Sequence, residues 1–257
     1  TAPSYSFAQV KEKKVVSFNA ASRPKNLSDS ALLDLVQKQT FRYFWDFAHP
    51  VSGMARERSN ETSNYGNEVV TTGGTGFGVM AVITATERKW ISRDTAARFL
   101  LKMVRFLSKA DAYHGVFAHW LNGATGKTIP FSRKDDGADL VENAFLFQGL
   151  LCARQYFDGD SDSEKQLRNR INGLWNDIEW DWFTREGRDV LYWHWSPNNG
   201  WAMNFAVRGF NECLIMYVLA ASAERYPVPA AVYHKGWAES NFFKNGKEFY
   251  KIKLPLG

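Results

Sequence analysis

Apolar positions recur at helical spacing along most of this chain, and the recurrence comes in blocks. Residues 1–28 show no clear periodicity, carry Ser22 and Pro24 near their end, and read as an extended N-terminal arm. A helix then runs to about Ala48, capped by Ser28 or Ser30. Its apolar positions are Leu32, Leu33, Leu35 and Val36, then Phe41, Phe44 and Trp45. His49-Pro50 stops it.

Beyond that point a unit repeats. Each copy opens on a Gly-rich or polar helix entry, continues as a strongly apolar helix, turns into an amphipathic helix and ends in an aromatic loop. In the first copy the apolar helix spans about Thr75 to Lys89 and its partner Asp94 to Lys109, behind a Ser92 cap. The loop reads Gly115-Val116-Phe117-Ala118-His119-Trp120. In the second copy the helices span about Asp139 to Tyr156 and Asp162 to Trp175, and the loop reads Val190-Leu191-Tyr192-Trp193-His194-Trp195. The third has an apolar helix from about Val207 to Glu224 and a second element after Pro229. The shared His-Trp ending supports the alignment. Both loops alternate as short hairpins do, and Asn122-Gly123 and Thr125-Gly126 are turn signals.

Helices that are apolar nearly all round belong inside, and amphipathic ones form an outer layer. Such antiparallel pairs curl into an (α/α)-toroid, so the expected fold class is all-α with short β-hairpin loops, residues 29–257 forming one domain. The pattern yields about six or seven helices. A closed ring of six hairpins needs about twelve, on the order of 350 residues. Further helices beyond Gly257 are therefore expected to complete the ring.

Composition narrows the function. The net charge of +5 is scattered apart from Lys11, Lys13 and Lys14, whereas a nucleic-acid binder gathers its cations on one stripe. Nucleic acid is not an expected partner. No apolar run reaches the roughly 20 residues that cross a bilayer. Thr1 to Gln9 carry neither an initiator Met nor an apolar signal core, which fits a start after a removed export signal or an internal start. Cys152 and Cys213 sit in apolar stretches and read as buried free thiols, with no Cys/His spacing for a metal. Gly73-Gly74-Thr75-Gly76 lacks the Lys-Ser/Thr ending of a phosphate loop. Aromatic residues make up 15% of the chain, and Trp90, Trp120, Trp175, Trp180, Trp182, Trp193, Trp195 and Trp201 gather at helix ends. Ring faces there can line a cleft and pack on sugar rings.

Hydrolysis of a glycosidic bond needs two carboxyl groups flanking it. Aligning the apolar helices sets Glu142 opposite Glu212, each expected in a first turn or two, while Gly76 and Gly78 of the first unit would leave open space. Burial would raise the Glu142 pKa toward that of a general acid, and Asp139, three residues before it on the same face, would raise it further. The same residues admit plainer roles. Asp139 can be only a cap, and the glutamates can complement helix dipoles or form a buried pair, Arg208 being the partner for Glu212. Arg56 and Arg58 can fork onto sugar hydroxyls or pair with Glu57 or Glu61. His119 and His194 end the two loops as ligand contacts or as structural histidines. Trp120 and Trp195 are the best stacking platforms, while Trp193 belongs to the core by strand alternation.

These residues, with their surroundings, resemble a known family. Phe41-Arg42-Tyr43-Phe44-Trp45-Asp46-Phe47-Ala48-His49-Pro50 and Ser52-Gly53-Met54-Ala55-Arg56-Glu57-Arg58-Ser59 look like its opening helix and loop. Thr75-Gly76-Phe77-Gly78, Glu87-Arg88-Lys89-Trp90-Ile91, Gly115-Val116-Phe117 with His119, and Thr125-Gly126-Lys127 follow in its order. Glu142-Asn143-Ala144 and Phe210-Asn211-Glu212 match its two acidic helices. The family is the bacterial β-1,2-glucanases, often labelled glucoamylases. The resemblance implies an (α/α)-toroid glycoside hydrolase acting on β-1,2-glucan or sophorooligosaccharides, with inversion and with no metal or organic cofactor. Endo-type cleavage is favoured. The alternatives are an exo-acting, sophorose-releasing enzyme or a non-catalytic glycan-binding protein. It places Asp139, Glu142 and Glu212 as functional acids; beside them the residues themselves offer Arg56, Arg58, His119, Trp120, His194, Trp195 and Asn211 as substrate contacts. The glucan is then the partner of a monomer that is periplasmic or secreted.

Overall fold

The structure, a computed structural model, describes residues 24–59, 66–239, 246 and 248–253. Most of the expected arm lies outside them. The chain divides into two units, residues 1–37 and 38–257, with the boundary inside the first helix. That helix, α1 (Asp29–Trp45), starts where the Ser28 Oγ accepts the Ala31 N–H.

The second unit is helical with a few short strands. β1 (Val69–Thr71) leads directly into α2 (Thr72–Glu87), followed by α3 (Arg93–Leu107). Strands β2 (Ala112–Tyr113), β3 (Val116–Phe117), β4 (Trp120–Asn122), β5 (Thr128–Ile129) and β6 (Ala138–Asp139) precede α4 (Leu140–Tyr156) and α5 (Asp162–Asn176). A 3-10 turn (Trp180–Thr184), β7 (His194–Trp195), α6 (Leu214–Ser222), a π-helical stretch (Val232–Ala238) and the ribbon β8 (Glu248–Phe249) and β9 (Ile252–Lys253) complete the described residues.

The expected layers are present. Inner helix α2 packs on α4, and α4 on α6, while α3 packs on α5 outside them. Helix α3 buries Ala96, Ala97, Leu100, Leu101, Met103, Val104 and Leu107, one stripe at three- and four-residue spacing, behind the Ser92 cap. Each large side chain so buried stabilises by about 1.5–3 kcal/mol. α5 does the same with Leu167, Ile171 and Trp175 behind Ser161. Arg93 joins the outer pair, bonding Glu164 at 2.6 Å and the Tyr156 carbonyl at 2.8 Å.

The glycines of α2 do not leave open space. A Cβ on Gly76 would strike the Phe145 carbonyl, one on Gly149 the Gly76 carbonyl, and one on Gly78 the Phe44 ring. They let the α2 and α4 backbones touch. The hairpin after α3 turns through His114 and Gly115, both at positive φ, as a two-residue turn matching strand twist demands. β4 pairs β1 on one side and β5 on the other. The second aromatic loop also folds back on itself as expected, Ser196 pairing antiparallel with Gly200 and the Trp193 N–H bonding the Phe205 carbonyl. β7 pairs antiparallel with β6, at the entry to α4, and Tyr192 bridges Ala206. Among the described residues no helix is long and apolar enough to cross a membrane.

Candidate active site

The site forms where α2 and α4 begin. Asp139 ends β6 and caps α4, its Oδ1 accepting the Glu142 N–H at 3.0 Å. Glu142, one turn in, sends its carboxylate across the helix contact, where Oε2 accepts the Gly73 N–H at 2.8 Å. The amides of a helix's first turn lack partners within the helix, so α2 offers this one to an anion. Burial raises the Glu142 pKa first, the Asp139 charge next. His119 and the Gly73 N–H oppose them, and Glu57 adds to the rise. The net rise favours a carboxyl that keeps its proton to higher pH.

Asp139 is both cap and charge partner, so the two readings of it were not exclusive. Its Oδ2 lies 3.1 Å from His119 Nδ1, and it is 1% exposed. Burial depresses the His119 pKa, but the bond and charge of Asp139, with Glu142 and Asp135 beyond, outweigh that and leave it raised. Asn143 fixes the frame. Wholly buried, its amide accepts the Phe117 N–H at 3.0 Å and donates to the Phe117 and Asp139 carbonyls, each at 2.7 Å. It ties the aromatic loop to α4. A buried Asn in an apolar helix was the signal, and the sequence reading passed over it.

The two loop histidines part company. His119 is partly open beside the carboxyls. His194 is 1% exposed, with Nε2 3.3 Å from both the Gly137 N–H and Asp135 Oδ1, so it is structural rather than a substrate contact. Asp135 is buried with it and was not anticipated. Among the described residues, His119, Asp135 and Asp139 offer ligand atoms within 4.8 Å of one another, a spacing that a cation could use.

The loop before α2 supplies a second group. Arg56 bridges Val70 of β1, which brings Glu57 alongside, and Glu57 Oε2 accepts the Trp120 indole N–H at 3.2 Å. Glu57 is thus a carboxylate of the site, whereas the sequence offered it only as an ion-pair partner. Arg58 lies 3.6 Å from its Oε1, that predicted pair, and is exposed. Arg56 sets its guanidinium 4.7 Å over the Phe47 ring and leaves Nε buried without a bond. Trp120 is buried under Phe131, ring centroids 4.7 Å apart, so it braces Glu57 instead of offering an open face. Trp195 is half-buried, edge-on to His114 at 4.9 Å and near Trp182 at 6.2 Å, and Trp182 is exposed. Trp193 is partly buried against the core.

Glu212 differs from the expectation. Helix α6 starts at Leu214, so Glu212 lies in the preceding turn and is exposed. The cause is local. Val207 N bonds the Leu191 carbonyl in strand fashion, Gly209 takes a φ of 88°, and Asn211 Oδ1 accepts the Cys213 N–H at 3.0 Å. Each removes a residue from helical bonding. Asn211 therefore shapes this turn. Arg208 reaches the Gly236 carbonyl at 3.5 Å rather than Glu212. Burial, then the charges of Glu212, Asp139 and Glu142, push the Cys213 thiol up to about 12. Cys152, expected to be buried, is exposed.

Comparison with known proteins bears on what such a site serves. A family model described as "Putative glucoamylase" matches residues 204–256. All of the chain aligns, at 39% identity over 276 positions, with 37% of an exo β-1,2-glucooligosaccharide sophorohydrolase (non-reducing end) of Parabacteroides distasonis. A crystal structure from Bacteroides uniformis, called a putative glucoamylase, is 61% identical with a TM-score of 0.85, covering 91% of this chain and 56% of its own. The endo-β-1,2-glucanase of Chitinophaga pinensis, solved with sophorotriose and glucose, is 52% identical with a TM-score of 0.85, covering 90% of this chain and 56% of its own. The chain thus spans a little over half the length of these structures and just over a third of the curated relative. Over the part of the family's length that it spans, this chain is related in sequence and in fold to the bacterial β-1,2-glucanases, and the resemblance read from its residues stands.

Proposed function

We propose that the protein is a glycoside hydrolase cleaving β-1,2-glucan or sophorooligosaccharides by an inverting acid/base mechanism. Glu142 is the general acid, its proton retained through burial and the Asp139 charge. Glu212 is the base that takes a proton from the attacking water, or the acid that orients substrate. His119, Arg56, Arg58 and Trp195 meet the sugar, while Asn211 shapes the loop that carries Glu212. The observation that carries this reading is the Glu142 carboxyl: desolvated, held by a helix amide and next to a capped, His-paired aspartate. General acids of glycosidases need such an environment.

Residues 29–257 belong, in this reading, to an (α/α)-toroid catalytic domain. The apolar Phe77, Met80, Leu214 and Val218 that α2 and α6 expose support it, since a ring of inner helices would cover them. The enzyme acts as a monomer, in the periplasm or outside the cell. Endo-type cleavage is favoured by the 52% identity to a protein named an endo-β-1,2-glucanase. The exo reading draws on the 39% identity to a sophorohydrolase.

Incubation with long β-1,2-glucan and separation of the products tests all of this. Endo action gives sophorooligosaccharides of mixed length from the first minutes, and exo action gives sophorose alone. Binding by calorimetry without new reducing ends would leave a glycan-binding protein. Glu142→Gln should abolish product formation while the circular dichroism spectrum stays unchanged.

A further inference from the structure

We propose that Gly73 is a positioning residue that decides which oxygen of Glu142 carries the proton. The inference deepens the acid role assigned to Glu142 and rests on it.

The geometry has three parts. The Gly73 amide, second residue of α2, points at Glu142 Oε2 from 2.8 Å. The helix α2 begins there without a side-chain cap, Thr71 making none, so this N–H is committed to the carboxylate. A Cβ at position 73 would collide with the same Oε2, so any larger residue pushes the carboxylate out of this position. Gly73 is buried and its φ is not positive. The glycine is required by the approach of Glu142 rather than by backbone conformation.

The consequence is chemical. An N–H donor needs an acceptor, so Oε2 serves as the carbonyl oxygen of the acid form and Oε1 bears the hydrogen. In the reaction Oε1–H gives its proton to the glycosidic oxygen, and the C1–O bond breaks with its electron pair going to that oxygen. Water adds to C1 and loses a proton to the base carboxylate. Glu142 ends as an anion. A hydrogen bond to an anion is about twice as strong as one to a neutral oxygen, so the Gly73 N–H strengthens as the charge develops. Support that grows toward the transition state raises kcat, whereas equal support of both states does not. Gly73 was weighed in the sequence only as part of a glycine run.

Two measurements test this. In Gly73→Ala the carboxylate is displaced. kcat should fall on the order of 10²-fold with KM within about twofold, and the alkaline limb of kcat/KM should move to higher pH, because the anion loses its donor. In the Glu142→Gln background the same change should have little further effect, as coupled residues require. A defect in helix packing alone would lower the folded fraction without moving the limb, and would add to Glu142→Gln. For the unaltered protein, the Gly73 amide resonance should titrate with the midpoint of that limb and become pH-invariant in Glu142→Gln, which keeps the test alive if Gly73→Ala does not fold. An amide that ignores pH, or a Gly73→Ala enzyme with an unmoved limb, overturns the inference. If Glu142→Gln itself retains activity, it is the acid assignment that fails instead.

Discussion

Two glutamates look alike in the sequence and sit in opposite settings in the molecule. Glu142 enters a helix that β6 and the Asp139 cap hold in place, and another helix's amide grips its carboxylate. Glu212 rides an exposed turn ahead of α6. A glycosidase asks different things of its two carboxyls. The acid must keep a proton near neutral pH, which burial and like charge supply. The base must be ionised, which water contact favours. The contrast between the two helix entries fits that division.

The sharpest way to break the comparison is to neutralise each side. Glu142→Gln should cost on the order of 10³-fold or more in kcat on β-1,2-glucan, within the range for a lost general acid. An activated leaving group, such as a nitrophenyl sophoroside, needs little protonation and should recover most of that loss. Glu212→Gln should also slow turnover by on the order of 10²-fold or more, but the activated substrate should not rescue it. Rescue of both, or of Glu212→Gln alone, would reverse the assignment.

Smaller changes sharpen the electrostatics. Asp139→Asn removes a negative neighbour, so the Glu142 anion forms more easily and its pKa falls. The protonated acid is then lost at lower pH, and the alkaline limb of kcat/KM should shift downward, with a fall of about 10- to 100-fold in kcat within the range for support of an acid. His119→Gln removes a positive neighbour and should move the limb upward. Shifts in the same direction would show that neither charge acts on Glu142 as the geometry indicates.

Asn143→Ala probes the frame rather than the charge. The Phe117 N–H and carbonyl lose their partners in a buried site, at about 1–3 kcal/mol each. Urea unfolding should detect the loss, and the activity of the remaining folded protein should fall less than in the carboxyl variants. An unchanged midpoint would mean that the loop finds another anchor.

The helices were legible because their signals are local. Ser92 and Ser161 cap α3 and α5 as read, and the one-sided apolar stripes are where the period places them. The start of α6 was not, since it depends on Val207 pairing with Leu191, a contact sixteen residues away in sequence. The same limit runs through the site. Glu142 and Asp139 were readable from cap spacing. Glu57 and Gly73 reach the site only through pairing of β1 with neighbouring chain and through the close α2–α4 crossing, and Asp135 through the turn before β6 that packs on His194 of β7. His194 and Trp120 carry the expected residue types, yet strand register turns the one inward and Phe131 covers the other. Residue type announces chemistry, but tertiary packing decides which copy is exposed to use it.

The smallest expected effect concerns stability, and it separates the two glutamates once more. The folded-state pKa of Glu142 lies above its unfolded value, so between those values the native state binds more protons than the unfolded one. Stability then falls as pH rises through that window and stays lowered above it. Glu142→Gln cannot ionise and keeps an oxygen for the Gly73 N–H, so it escapes the penalty. Its melting temperature should exceed that of the parent at pH 7, and the gap should close as the pH drops below the ordinary carboxylate range. Glu212→Gln alters an exposed side chain outside the helix contact, so the Gly73 N–H keeps its Glu142 acceptor in that variant. Equal melting curves for Glu142→Gln and its parent at every pH would mean that the Glu142 carboxylate is better solvated than its place between two helix entries implies.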